Sequence, residues 1–208
     1  MPEDKLDLSK LHPADYKSKK TPEIVDLEPG KYLAIEGQGA PESAAFQAAI
    51  GALYGVAYTV KMTRKFAGRD FKVATLEGLW WAEYDRAKLA DPEALWTVPR
   101  DAWRWKVLIR QPEFVTAAEV ETAKAAVLKK KGDETVTRVA LETLREGKCV
   151  QILHVGPYAA EPESIAKMRA LMAAQGLAPH GLHHEIYLSD PRRVPPERLK
   201  TILRQPVT

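Results

Sequence analysis

The chain has 208 residues, 45% hydrophobic and 28% charged, which is the balance of a globular protein with a sizeable core. A formal net charge of +3 is too small to argue for a nucleic-acid-binding face, and no apolar run approaches the length of a membrane span. One cysteine, Cys149, leaves no intramolecular disulfide and suits a reducing compartment; with the charged, signal-free residues 1–20, it predicts a soluble cytoplasmic protein.

Residues 1–29 are polar, carry Pro13, Pro22 and Pro29, and read as an extended arm with one short turn. Residues 30–208 read as one domain. Within it, residues 32–36 form a strand ended by Gly37 and Gly39, and Pro41-Glu42-Ser43 opens a helix to about residue 64. Strands follow at 71–76 and 78–84, then a loop at 86–99 and a strand at 103–109. Thr116 and Glu119 have capping-box spacing at the start of a helix over 116–130, and the lysine run Lys129-Lys130-Lys131 complements the dipole at its end. A second helix is expected over 136–146, ending at Gly147. Then come a strand at 149–155 with Cys149 as a core residue, a helix at 163–175 stopped by Gly176, and strands at 182–189 and 200–204.

The chain echoes itself. Gly78-Leu79-Trp80-Trp81 returns as Gly181-Leu182-His183-His184, and Trp105-Lys106-Val107-Leu108-Ile109-Arg110-Gln111-Pro112 returns as Leu199-Lys200-Thr201-Ile202-Leu203-Arg204-Gln205-Pro206. Ahead of these, Gly30-Lys31-Tyr32 and Pro41-Glu42-Ser43 match Gly147-Lys148-Cys149 and Pro162-Glu163-Ser164 in the same order. The echo predicts two strand-helix-strand-strand modules, about 30–112 and about 147–206, joined by helices over about 116–146. Neither module buries both faces of its strands alone, so an α+β fold is expected. Its pseudo-twofold antiparallel sheet would have helices on one side, a concavity on the other and a ligand cleft at the seam.

Strand alternation puts His183, Glu185 and Tyr187 on one face of residues 183–188, with His184, Ile186 and Leu188 on the other. The aliphatic pair marks the second face as core, so the first presents imidazole, carboxylate and phenol to the cleft. A carboxylate there can act as a general base, a general acid or a counter-charge for a cation. Trp80, Trp81, Tyr84, Trp103 and Trp105 supply an aromatic wall in the other module; Trp80 and Trp81 point opposite ways, and the pattern leaves open which one faces the cleft. Trp103 and Trp105 are expected to flank that wall. Tyr158 in Gly156-Pro157-Tyr158 follows a strand, where a loop could bring it to the cleft mouth. His180, His183, His184 and His154 do not converge on one face, so no metal site is expected, and no phosphate loop, nucleophile elbow or dinucleotide fingerprint calls for a cofactor.

Tyr32-Leu33-Ala34-Ile35-Glu36-Gly37-Gln38-Gly39, Leu76-Glu77-Gly78-Leu79-Trp80-Trp81, the 105–112 segment and His183-His184-Glu185-Ile186-Tyr187-Leu188-Ser189-Asp190-Pro191-Arg192 together resemble the GyrI-like family of small-molecule-binding proteins. The resemblance runs from about residue 17 to residue 207. It implies tandem modules with a ligand cleft at the pseudo-twofold, a key glutamate at Glu185, and an aromatic wall at Trp80 or Trp81 supported by Tyr158 and Tyr187. Stand-alone members that this chain resembles include cyclopropanoid cyclopropyl hydrolases, which open the reactive ring of DNA-alkylating natural products. Three functions follow as expectations. One is a cofactor-independent hydrolase using Glu185, with Tyr158, Tyr187 or His183 assisting. The others are a protein that sequesters flat, apolar or cationic drugs and a gyrase-inhibitor-like protein. The expected partner is a small molecule, with no nucleic acid and no membrane, and the oligomeric state is left between monomer and homodimer. The residues before Tyr32 are too few and too proline-broken for a helix-turn-helix.

Overall fold

In the computed structural model, which describes residues 5–82 and 97–208, two short helices come first, α1 (Leu8–Leu11) and α2 (Pro13–Tyr16). The strands β1 (Glu23–Leu27) and β2 (Gly30–Gln38) follow, then the long helix α3 (Ala44–Phe66) and strands β3 (Leu76–Ala82) and β4 (Trp103–Gln111). The second half begins with α4 (Ala117–Lys131), β5 (Ala140–Leu144) and β6 (Gly147–Val155), and ends with α5 (Glu161–Ala174), β7 (His183–Tyr187) and β8 (Lys200–Pro206).

These strands form one antiparallel sheet in the order β1-β6-β8-β7-β3-β4-β2-β5. The order is symmetric about the central β7–β3 pair: β8 answers β4, β6 answers β2, and β1 answers β5. The outer strands are exchanged. β1 precedes β2 in the chain but pairs with β6, while β5 precedes β6 but pairs with β2. Each half therefore supplies the outermost strand of the other, which ties the halves together.

Local chemistry explains the helices. Ser43 caps α3 by accepting from the Phe46 amide, and Phe46, Ala49, Leu53, Val56, Ala57 and Val60 recur at helical spacing on its buried stripe. Thr116 and Glu119 form the expected capping box of α4, which ends at Gly132 in the left-handed conformation. On the face covered by helices, one core joins α3 and α4 to β2, β3 and β4. A smaller core places Ile165, Met168 and Met172 of α5 on Val150, Ile152 and Leu203.

Four expectations need correction. Residues 5–29 are not an extended arm: α1 and α2 fold over the sheet, and β1 joins it. Residues 136–146 are not a helix but a 3-10 turn (Glu134–Arg138) followed by β5. The apolar spacing suits a helix, but the open edge of β2 supplies backbone partners from residue 30 to residue 34, and ladder pairing prevails over local propensity. Residues 71–76 make only an isolated bridge, Phe71 with Leu6, before β3 begins. Finally, the face that carries Glu185 is the helix-covered face, not a concavity opposite the helices: Glu185 pairs with Leu203, which packs under α5. Most of the expected 86–99 loop lies outside the described residues. Among the described residues, no helix is long and apolar enough to cross a membrane.

The other face of the sheet holds a buried ionic network. His184 lies 3.0 Å from Glu77 Oε2 through Nε2 and 3.0 Å from Glu146 Oε1 through Nδ1. Arg204 reaches Glu146 Oε2 at 3.0 Å and donates to Gln151 Oε1 and to the Asp15 carbonyl. Tyr16 donates to Glu77 at 2.9 Å, and Asp15 pairs with Arg110 at 2.8 Å. Helix α2 is therefore the lid over this network, contributing both backbone and side-chain partners. Flanking carboxylates, Glu146 above all, raise His184 to about 9 against the effect of its burial, so it is an imidazolium at neutral pH. Glu146, buried but facing His184 and Arg204, is held down at about 2.

Candidate functional site

The β3–β7 register decides which side chains meet. Gly78 lies opposite Glu185 and Trp80 opposite His183, whereas Leu79 lies opposite His184 and Glu77 opposite Ile186. Cross-strand partners share a face, so Trp80, His183, Glu185 and Tyr187 lie on the helix-covered face, with Phe46 of α3 against Trp80 and Tyr158, just ahead of α5, against Tyr187. Trp81 belongs to the opposite face and packs with Tyr32, Leu79 and Leu108. Trp80 is thus the member of the tryptophan pair beside the glutamate.

A chain of hydrogen bonds organises the group. Trp80 Nε1 donates to Tyr187 Oη at 2.9 Å, and Tyr187 Oη donates to Glu185 Oε2 at 2.8 Å. Gly78 makes room for it. A Cβ at that position would stand 2.9 Å from Trp80 Nε1 and 3.1 Å from Tyr187 Oη. The Glu185 side chain is only 14% exposed, and its other oxygen lies 3.7 Å from His183 Nε2.

Burial pushes the Glu185 carboxyl up to about 7, against the lowering pull of the Tyr187 hydrogen bond and the His184 charge. A carboxyl with that pKa is partly ionised at neutral pH, the condition that suits a general base. His183 is buried, and neither ring nitrogen has a hydrogen-bond partner among the described residues. Burial, with the neighbouring His184 charge, lowers it to about 3, so it is a neutral imidazole.

Tyr158 stands on the 3-10 turn (Tyr158–Ala160) that leads into α5, and its ring meets Tyr187 edge-on at 6.1 Å. His154 fixes this turn through contacts of 3.0 Å to Ser164 Oγ and 3.2 Å to the Pro157 carbonyl. Burial and the Glu185 charge raise the Tyr158 phenol to about 12. The aromatic wall extends from Trp80 to Phe46 of α3 at 5.4 Å and to Trp103 at 6.0 Å. Trp105 is 1% exposed, stands edge-on to Phe46 and covers Gly37, so it backs the wall from the core. Tyr84, the remaining aromatic candidate, lies outside the described residues.

Two residues at the site escaped sequence reading. Phe46 faces Trp80 from α3. Glu161 opens α5, is 2% exposed, and leaves its Oε1 without a hydrogen-bond partner among the described residues. Glu161, Ile165, Met168 and Met172 form the buried stripe of α5, so a glutamate on an apolar stripe was the available signal. Burial and the facing Glu185 charge push Glu161 well above the usual carboxylate range. The helix N-terminus favours its ionised form by roughly 0.3–1 kcal/mol. An unpaired buried charge costs several kcal/mol, so the proton stays on.

The described residues contain no group of three or more His, Cys, Asp or Glu arranged to hold a metal ion. His180 and His154 stand apart from the Glu185 group, His154 holding its own turn.

A family model for the GyrI-like small molecule binding domain matches residues 20–208. No curated protein matches. Among solved structures, an uncharacterized conserved protein from Listeria innocua is 40% identical, with a TM-score of 0.87 over 98% of this chain and 100% of that one. A hydrolase from Listeria innocua is 38% identical, with a TM-score of 0.85 over 98% of this chain and 100% of that one. The C-terminal domain of EcmrR matches at 8% identity and a TM-score of 0.57 over 90% of this chain and 97% of that one, a likeness of fold alone.

Proposed function

The chain belongs to the GyrI-like small-molecule-binding family, and from that premise we propose that it is a cofactor-independent hydrolase that detoxifies cyclopropanoid electrophiles. The observation that carries this reading is the Glu185 carboxyl, enclosed beside Trp80, raised to about 7 and oriented by the Tyr187 hydroxyl. The hydrolase from Listeria innocua, alike over nearly the whole chain, supports an enzyme of this class.

A flat dienone fused to a strained cyclopropane would lie against Trp80 and Phe46. Glu185 takes a proton from water as the water oxygen bonds to the ring methylene. The electron pair of the breaking C–C bond moves through the dienone to its oxygen, which gains a proton and becomes a phenol. The sum is the addition of one water, and no oxidant or metal takes part. Tyr187 orients the base, because its hydroxyl already donates to Glu185 and accepts from Trp80. Tyr158 and His183 are the neutral donors this reading places near the dienone oxygen. General-base assistance contributes about 10²–10⁴-fold, and orientation and ring strain supply the remainder.

The competing reading is a receptor that sequesters lipophilic cations, favoured by one observation: among the described residues, Glu185 stands beside aromatic rings without a direct cationic partner on its own face. Mass spectrometry of a cyclopropyl-dienone alkylator incubated with the protein separates the two. The hydrolase predicts a product heavier by one water with wild type and about 10²–10⁴-fold less of it with Glu185→Gln. Unchanged alkylator with both proteins, together with affinity for a cationic dye that Glu185→Gln abolishes, would replace the hydrolase with a cation receptor.

A further inference from the structure

Glu161 has no part in the reaction as drawn so far, yet it is 2% exposed and its buried Oε1 has no hydrogen-bond partner among the described residues. Its place on the α5 stripe with Ile165, Met168 and Met172 means that helix packing, not a chance side-chain orientation, holds it inside. The turn before it carries Tyr158 against Tyr187, so the first turn of α5 sits over the β7 face that bears Glu185. Among the described residues, the titratable groups that face Glu161 are Glu185, Tyr158 and Tyr187, and none of them is a cation.

Two enclosed carboxyls with no cation between them do not both ionise. Glu185 receives the Tyr187 hydroxyl hydrogen, which favours its charged form, while Glu161 Oε1 receives none from the described residues. The single proton therefore resides on Glu161, and a protonated carboxyl is a hydrogen-bond donor in an apolar cleft. An unpartnered donor of that kind selects a ligand that brings its own acceptor.

We infer that Glu161 is the proton-donating carboxyl of this site, and that the site accepts flat, neutral ligands carrying a carbonyl oxygen placed to receive that hydrogen. Resting on the hydrolase reading of the same cleft, the acceptor is the dienone oxygen. As the ring opens, Glu185 gains the water proton and Glu161 gives its own proton to the dienone oxygen. The pair holds one negative charge before and after, so no charge accumulates in the enclosed space. Proton return from Glu185 to Glu161 through solvent restores the starting state.

Two measurements test this without requiring turnover. Infrared spectroscopy at about pH 8, above the ordinary carboxylate range, should show a protonated-carboxyl band in the wild type. The band should persist in Glu185→Gln and vanish in Glu161→Gln. Equilibrium dialysis with 9-fluorenone and with fluorene compares flat probes that differ in the carbonyl. One neutral hydrogen bond corresponds to about a 2–10-fold preference for the ketone. Wild type should show that preference and Glu161→Met should lose it while still binding fluorene, which also establishes that the variant is folded. Absence of the band, its survival in Glu161→Gln, or an unchanged ketone preference in Glu161→Met would overturn the assignment. Failure of the wild type to hydrate a cyclopropyl-dienone would refute the hydrolase reading alone, since the band and the ketone preference decide Glu161 separately.

Discussion

Glu185→Gln is expected to stabilise the protein at alkaline pH while removing the proposed hydrolase activity. In the fold the carboxyl is raised from 4.5 to about 7 by burial, so the folded state retains a proton that the unfolded chain has already released. Between those values the folded state binds more protons, and stability falls as pH rises. A shift of that size corresponds to a penalty of about 3 kcal/mol, complete by about pH 8 and absent below about pH 4. Glutamine keeps a carbonyl oxygen to accept the Tyr187 hydrogen and carries no charge to bury, so the variant avoids the penalty. For a chain of this length about 3 kcal/mol corresponds to a rise of about 6–12 °C in Tm. Thermal unfolding followed by circular dichroism, run on both proteins across this pH range, measures the difference directly. Titrating groups that do not feel the Glu185 charge are common to the two proteins and cancel in the comparison. Parallel curves, with the variant no better at about pH 8 than at about pH 4, would show that Glu185 is not a buried carboxyl with a raised pKa. The choice of Glu185 as the base would then lose its physical basis.

Trp80→Ala should weaken binding of flat aromatic probes by about tenfold or more, because a stacked ring contributes roughly 0.5–1.5 kcal/mol beyond its buried area. Trp81→Ala should leave probe affinity unchanged, since its ring lies on the other face of the sheet; calorimetric titration of both variants decides the assignment. Gly78→Ala places a methyl group against Trp80 Nε1 and Tyr187 Oη, and the overpacking should cost about 1–3 kcal/mol in urea unfolding and reduce probe affinity as well. Glu146→Gln leaves Arg204 and His184 without their shared carboxylate and should cost about 3–5 kcal/mol near neutral pH. His184 is raised to about 9, so its contribution is complete below its ordinary value of 6.5 and fades as pH climbs through about 9. The depressed Glu146 carboxyl contributes above 4.5 and is lost as pH falls toward about 2. Wild type should therefore lose stability on the alkaline side more steeply than Glu146→Gln, a difference read from urea midpoints across that range.

What the sequence determined by itself is local and periodic. Two-residue alternation placed His183, Glu185 and Tyr187 on one face and buried His184 and Ile186 behind them, as the β7 register bears out. The Thr116 and Glu119 spacing marked the α4 capping box, and the ordered echo of the two halves anticipated strands that answer one another across a central pair. Tertiary structure decided whatever depends on a distant partner. Alternation shows that Trp80 and Trp81 diverge, but only pairing with His183 puts Trp80 beside Glu185. Residues 140–144 have a helical spacing of apolar side chains, yet the free backbone groups of β2 draw them into a strand. The polar N-terminal stretch gives no local sign that Asp15 and Tyr16 will be buried partners of Arg110 and Glu77. Glu161 precedes the helix that the sequence places at 163–175, and it becomes a buried carboxyl only because α5 begins at Glu161 and lays that stripe on the sheet opposite Glu185. Facing and capping are set by neighbours a few bonds away, whereas register, edge exchange and the pKa of an enclosed group are set by contacts between segments far apart along the chain.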